Sequence, residues 1–452
     1  MRNEEGGRMP SVTTRHLPGK CRAEYEPLVC GAILYDDPDV RTSGWTSREG
    51  CPPERYDERL VGHSDTLWLT NLPAFRIGQA RMAGRYRPEN WLRAKVTSLL
   101  REWGLEASPD EGVRFLSKVF GRVLAQVERT WPDLELRNPK MSGTTEGLPD
   151  LIADVLPAVR QVGDARMKKV ATAAYRTYQN VEQGPRGREE TRYTAFVLPR
   201  VEHARKILST PVPYGPWEEF REGAPGFPAD QKNRTAWLGA IGRPAVVRVV
   251  YRGSGGGPMN LILNGDNREW WTGEEVLFAS NIPGTEIEIV EAHVAKGTEP
   301  SPVSLPFGGR LAGVSVSCGL FSENVWVAAA GIGTQESRPP WTLFLRAADR
   351  MITCRVALEL LDRGITVFGM GYGVVHASLP VDIDPADILE IARKTGTYAV
   401  PGHPDRFEAK KGDMTDALRV IHLSGAWKAL EKIDDQWWEE WSSLPGKEKR
   451  CC

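Results

Sequence analysis

Asp382 and Asp384, one residue apart in VDIDP, are the pair in this chain best spaced to hold a divalent cation, because hard cations take carboxylate oxygens. The pair follows ITVFGMGYGVVH (365–376), two β-branched and aromatic runs around a glycine-rich turn, which is the pattern of a tight hairpin. The hairpin tip carries Met370 and Tyr372 and no carboxylate. Asp384 also stands directly before a proline that opens a helical pattern, the place of an N-cap. We favour the cap. Cys21, Cys30, Cys51 and His63 carry zinc-ligand chemistry but lack the short paired spacing of structural zinc sites. His203, His376 and His403 accompany no serine or cysteine nucleophile motif. The loop GSGGGP lacks the Gly-Lys-Ser/Thr ending of a phosphate-binding loop.

The elements that would position these groups can be read from periodicity. From residue 88 the pattern is helical: in RPENWLRAKVTSLLREWG, Leu92, Val96, Leu99, Leu100 and Trp103 share a face, and Gly104 takes the C-terminal cap. A second helix starts at SPDE, with Ser108 as N-cap, Pro109 in the first turn and Glu111 closing a capping box. Its stripe of Leu116, Val119, Phe120, Val123, Leu124 and Val127 reads as a packed helical hairpin in preference to a DNA-reading helix-turn-helix. A third helical stretch covers roughly 147–180. Strand patterns come next, AVVRVVYRG as the first arm of a hairpin and EIEIVEAHV as a half-buried strand. An amphipathic helix over 338–364 then runs into the glycine hairpin, DPADILEIARKTG is a helix after it, and Trp437, Trp438 and Trp441 read as a packing cluster.

The 452 residues allow two or three domains, and 41 % hydrophobic with 26 % charged content is that of an ordinary globular protein. A net charge of −1 excludes a global basic field and leaves room for a local basic groove. No run reaches the roughly 18 apolar residues of a membrane span, and MRNEEGGRMPSVTTRH has no signal-type apolar segment. Seven dispersed cysteines argue against a disulfide framework, so a reducing cytoplasm is expected. The closing KEKRCC resembles a lipidated tail and is read as unmodified.

The order hairpin, long helix, tight hairpin, helix is that of a polymerase palm, and local stretches over about 170–410 resemble the protein-primed family B DNA polymerases of viruses and mobile elements. In REWWTGEEVLFASNIPGTEIEIVEAHV, Trp271, Thr272, Glu275, Val276 and Ala279 stand where the family has a Trp-Thr pair opening a helix with Glu-Leu and alanine. STPVPYGPW resembles the Pro-x-Pro-x-Gly segment after the first palm motif, ATAAYRTYQNVEQG the segment just before the palm, and LLDRG the run-in to the third motif.

Carried over residue by residue, the resemblance places the first motif on RYTAFVLPR, with the metal-binding aspartate at Thr194 and the Ser, Tyr and Pro at Val197, Pro199 and Arg200. Glu189, Glu190 and Asp230 are the nearby acids that a shifted alignment would use. The Asp-Thr-Asp turn of the third motif falls on Met370, Gly371 and Tyr372. In the second, GLFSENVWVAAAG, Asn324 stands for the asparagine while Leu320, Val327 and Ala328 replace the Lys and Tyr-Gly. A thioether is a soft ligand and a phenol near pKa 10 stays protonated, so these side chains cannot hold Mg²⁺.

The resemblance therefore implies an α+β fold, a palm-like antiparallel sheet with packed helices, preceded by a mainly helical N-terminal region. The expected segments are a loosely ordered 1–60, a mainly helical 61–185 that is a possible remnant of the family's exonuclease region, a palm-like 186–425 and a Trp-rich 426–452. Asp36 and Asp37 in GAILYDDPDV are the strand-end acids of that remnant, and no proofreading is expected. The implied function is a non-catalytic polymerase-like protein that binds DNA or a replication or priming protein in a virus or mobile element. No catalytic residue, metal or cofactor is expected. Phosphate contacts are expected from Arg346, Arg350 and Arg355 on the long helix and from Lys410 and Lys411. Two alternatives stand beside this: an active DNA polymerase using Asp382 and Asp384 with Mg²⁺, and a structural or virion-associated protein that reuses the fold.

Overall fold

CGAILY (Cys30–Tyr35, β1) is an unbroken run of small and apolar residues, buried along its whole length, and it forms the centre of a sheet. β2 (Gly44–Arg48) pairs antiparallel with it, β3 (Glu54–Arg55) pairs antiparallel with β2, and β4 (Leu67–Thr70) and β5 (Tyr86–Arg87) continue in parallel on the other side. The order is β3-β2-β1-β4-β5. The computed structural model describes residues 28–62, 66–79, 84–134, 136, 147–156, 167, 170, 191–253, 269–307, 311–331, 339–380, 382–401 and 427–444. Successive residues of β1 face opposite ways. Ile33 and Tyr35 pack with Trp68, Val61 of α1 (Glu58–Gly62) and Ile77 of α2 (Ala74–Gln79). Ala32 and Leu34 face the opposite layer, which holds α3 (Val96–Glu102), α4 (Pro109–Thr130) and α5 (Leu148–Val155).

This sheet corrects two expectations. Residues 30–55, read as loosely ordered, hold three of its strands, and the mainly helical region after them also contains β4 and β5. A central strand buried on both faces shows no alternation, and two-residue edge strands show no pattern at all. The predicted first helix also starts late. Arg93 takes a left-handed φ of 70°, so Trp91 and Leu92 sit in turns before α3, although all five predicted face residues are buried. In α4 the expected stripe is buried, and it packs on β1 and β2. Of the third helical stretch, Leu148–Val155 is helix, and most of 157–190 lies outside the described residues.

The remainder is built on two antiparallel sheets. In chain order come β6 (Thr191–Val197), α6 (Arg200–Leu208), β7 (Val212–Arg221), α7 (Gln231–Ile241), β8 (Ala245–Gly253), β9 (Trp270–Thr272), α8 (Gly273–Ser280) and β10 (Thr285–Glu299). After them stand α9 (Val316–Gly331), α10 (Trp341–Leu361), β11 (Thr366–Gly371), β12 (Val374–Pro380), α11 (Pro385–Thr395), β13 (Tyr398–Pro401) and α12 (Trp427–Ser443). One sheet runs β7-β10-β8-β9 and the other β11-β12-β6-β13. Both share a core with α8 and the C-terminal part of α10, centred on Trp271, Phe196, Val356 and Leu360. The α+β class and the antiparallel sheets are as expected. α8 opens with a full capping box, in which Glu275 N donates to Thr272 Oγ1 and Thr272 N donates to Glu275 Oε2.

Candidate functional site

The long helix α10 places one acid on its apolar stripe. Asp349 lies one helical turn from Leu345 and Ile352 and two from Val356, and is fully buried. Its carboxylate points at the tip of the β11–β12 hairpin. Tyr372 N donates to Oδ2 and Gly373 N to Oδ1, both at 3.0 Å, and His203 Nε2 of α6 lies 2.9 Å from Oδ1. Tyr372 and Gly373 both have positive φ, 52° and 74°, as a two-residue turn of the type that matches strand twist requires. Glycine is needed at 373 for a second reason, since a Cβ there would lie 2.7 Å from His203 Nδ1. Tyrosine at 372 is strained, because a side chain in the left-handed region costs of order 1–3 kcal/mol and persists only where neighbours over-determine it. Here they do. The Arg93 guanidinium sits 3.7 Å above the Tyr372 ring and the Trp326 ring lies 5.7 Å away. Trp326 in turn meets His203 edge-on at 5.6 Å. Leu198 N, just past β6, donates to Gly373 O at 2.8 Å and ties the turn to the neighbouring strand.

A second buried set closes the same end of the sheet. Arg200, at the start of α6, forks onto both oxygens of Glu102 and bonds Glu323 Oε2 through Nε at 2.7 Å. Tyr398 Oη donates to Glu102 Oε1 at 2.8 Å. Burial alone would lower the Arg200 pKa, but the surrounding Glu102, Tyr398 and Glu323 hold it well above its ordinary value. Burial likewise pushes the Tyr398 phenol up, so it stays a neutral donor. The acids near the hairpin are therefore engaged by amides, guanidinium or phenol. Among the described residues no group of three or more His, Cys, Asp or Glu lies together as a metal ion would need.

The structure separates the residues that the sequence placed at a metal site. Val197, opposite Val374, is level with the turn, whereas Thr194 pairs with Ala377, three residues or roughly 10 Å further along β6. Thr194 is buried in the sheet, and Met370 packs its side chain into the core between the sheets. Asp382 and Asp384 come after the far end of β12, roughly 20 Å or more of strand from the turn. Both are exposed, and Asp384 Oδ1 accepts from Ala386 N at 2.8 Å as the N-cap of α11. Asp230 likewise caps α7, accepting from Lys232 N at 3.0 Å, while Glu189 and Glu190 lie outside the described residues. Of the zinc candidates, Cys30 is buried on β1 with its thiol pushed well up by burial, and Cys21 and His63 lie outside the described residues.

The basic residues also fall differently. Arg346 is interior and donates through Nε to Ala330 O at 2.9 Å, joining α10 to α9. Arg350 bonds Glu275 at 2.7 Å, joining α10 to α8. Arg355 is exposed, its guanidinium 5.6 Å from the Phe278 ring. These three arginines do not form one open basic face, because α8 and α9 cover the α10 surface that a sequence reading leaves to solvent. Lys410, Lys411 and His403 lie outside the described residues. Asp36 and Asp37 stand just past β1 as expected, with Asp36 Oδ2 3.6 Å from an Arg55 guanidinium nitrogen.

Asp349 and Arg93 are not among the sequence candidates for a site, and Arg200 enters there only where the motif's proline falls. An acid on an apolar helical stripe was the available signal for Asp349. The other two have none, since their partners come from distant parts of the chain. No family model and no curated protein matches this chain. Among solved structures, it is similar to Phi29 DNA polymerase complexed with single-stranded DNA, at 10 % identity and TM-score 0.39 over 80 % of this chain and 82 % of that one. The same enzyme complexed with primer-template DNA and incoming nucleotide substrates gives 9 % identity and TM-score 0.36 over the same shares. At these scores the likeness carries no argument about fold or activity.

Proposed function

We propose that this chain is a non-catalytic polymerase-palm protein that binds nucleic acid or a replication partner. The observation that carries the reading is the hairpin tip, where the palm resemblance requires carboxylates. Met370 there packs into the core, and the amides of Tyr372 and Gly373 are bonded to Asp349 beneath an Arg93–Tyr372 stack. That arrangement fixes a turn and leaves Asp349, with each oxygen already accepting from an amide, poorly placed to bind a hydrated cation. Nucleic-acid binding without metals needs only placed cations and amides. The active alternative with Asp382 and Asp384 loses its support, because Asp384 serves as a helix cap far from the turn.

The test is primer extension with Mg²⁺ or Mn²⁺ beside a salt titration of binding to labelled primer-template DNA. The reading expects no incorporation and a salt-sensitive complex. Incorporation that is lost on changing Asp349, or Asp382 with Asp384, refutes it. Absence of both incorporation and DNA binding leaves the scaffold reading, in which the fold serves assembly.

A further inference from the structure

Helix α4 carries Arg114, Lys118, Arg122 and Arg129 on a stripe about 80° wide and about 22 Å long. The C-terminal helix α12 lies along this row and meets it with two kinds of group. Carboxylates come first: Glu431 takes both terminal nitrogens of Arg114, at 2.7 and 3.0 Å, and Lys118 at 3.1 Å. Asp435 takes Lys118 at 2.6 Å and Arg122 at 2.7 Å, and Asp434 takes Arg122 at 2.7 Å. Indole faces come second: Trp427 lies beneath Arg114 at 5.4 Å, Trp438 beneath Arg122 at 5.4 Å and Trp441 beneath Arg129 at 4.5 Å. Each arginine of the row thus holds an oxygen and a ring together, Arg129 taking the carbonyls of Trp441 and Leu444.

Anionic oxygens alternating with aromatic faces along one strand are what single-stranded nucleic acid presents to an arginine row. The seat of α12 does not depend on this edge. Leu430, Ile433 and Trp437 pack it into the core, and the fully buried Asp434 accepts from Ser317 N and Ser317 Oγ, both at 2.8 Å, at the start of α9. The rim is different, with 35 % of the Arg114 side chain and 38 % of the Asp435 side chain exposed.

We propose that the Arg114–Lys118 end of this row is a site for single-stranded nucleic acid, Arg122 staying enclosed against the buried Asp434, and that the acidic edge of α12 is its intramolecular competitor. It rests on the reading of the chain as a nucleic-acid-binding protein. Phosphates displace Glu431 and Asp435 from Arg114 and Lys118 at the rim while the apolar stripe keeps α12 seated. The competitor sets a threshold, so that only a strand whose phosphates engage Arg114 and Lys118 together displaces Glu431 and Asp435.

The test uses the full chain, a fluorescent oligothymidylate and a salt titration. In Glu431→Gln/Asp435→Gln the row is no longer neutralised, and affinity rises roughly tenfold at low salt. The slope of log K against log salt steepens by about 1.4 for two regained single-strand contacts. Glu439→Gln/Glu440→Gln carries the same change of net charge on exposed positions of the same helix and leaves affinity within twofold. Adding Arg114→Gln/Lys118→Gln to the first variant removes the gain, and near-UV circular dichroism of the tryptophan cluster reports that α12 stays seated. Equal binding by wild type and Glu431→Gln/Asp435→Gln, or an equal rise in both charge variants, overturns the inference and leaves the nucleic-acid reading standing. No binding by any variant overturns both.

Discussion

Replacing Asp349 separates a structural tether from a metal ligand. Its carboxylate accepts from the two turn amides at 3.0 Å with no access to water. Hydrogen bonds to a charged group contribute about 1.5–3 kcal/mol each, so Asp349→Ala, which also orphans two buried amides, should cost about 3–6 kcal/mol. Asp349→Asn keeps the shape and one acceptor but turns an NH₂ towards the second amide, and about half that loss is expected. Urea unfolding reads the difference as a fall in midpoint at constant slope. Hydrogen exchange places it, since protection at the Tyr372 and Gly373 amides should fall first. The metal alternative makes the opposite forecast, because a cation that binds the native state raises stability with its concentration. A midpoint that climbs with Mg²⁺ in wild type and not in Asp349→Asn, with turn protection unchanged by the substitution, refutes the tether.

Gly373→Ala should cost more than the usual 1–3 kcal/mol of a left-handed side chain, because its Cβ also meets His203 Nδ1, a ring held in the core; thermal unfolding checks this. Arg346→Gln should lower stability by about 1–3 kcal/mol through the lost bond to Ala330 O and leave the salt slope of DNA binding unchanged, which a titration of the folded variant tests. Acid should weaken the rim contacts of α12 with α4 while the helix stays seated: burial opposes ionisation of Glu431 and Asp435, but hydrogen bonds from Arg114, Lys118 and Arg122 outweigh it and hold both below the ordinary range. A depressed carboxylate stabilises above its unfolded pKa, about 3.9–4.3, and that contribution is lost as pH falls through the folded value. Tryptophan fluorescence should therefore be flat above about pH 5 and shift below about pH 4.

Elements with a strong period were legible. The stripe of α4, the entry of α10 into the hairpin and the Asp384 cap can be read from local pattern, and each is where the sequence places it. The five-stranded sheet around CGAILY was not, because a strand buried on both faces has no polar beat to betray it. The site was legible only in part. The glycines of the hairpin announced its turn, but the carboxylate that grips that turn belongs to another element, and charge on α10 was read as solvent-facing when α8 and α9 cover it. Pairings such as Arg200 with Glu102 join residues from distant stretches, where spacing carries no information.

The stack of Arg93 on Tyr372 bears on the order of folding. Both residues hold backbone angles that neither would keep alone, and they come from opposite halves of the chain. The hairpin strands can zip early from local contacts, but the tip has no reason to settle until the N-terminal half arrives, and contacts so distant in sequence form late. Substitutions at this stack should therefore quicken unfolding far more than they slow refolding, making the hairpin tip a seal on the finished molecule and not part of its nucleus.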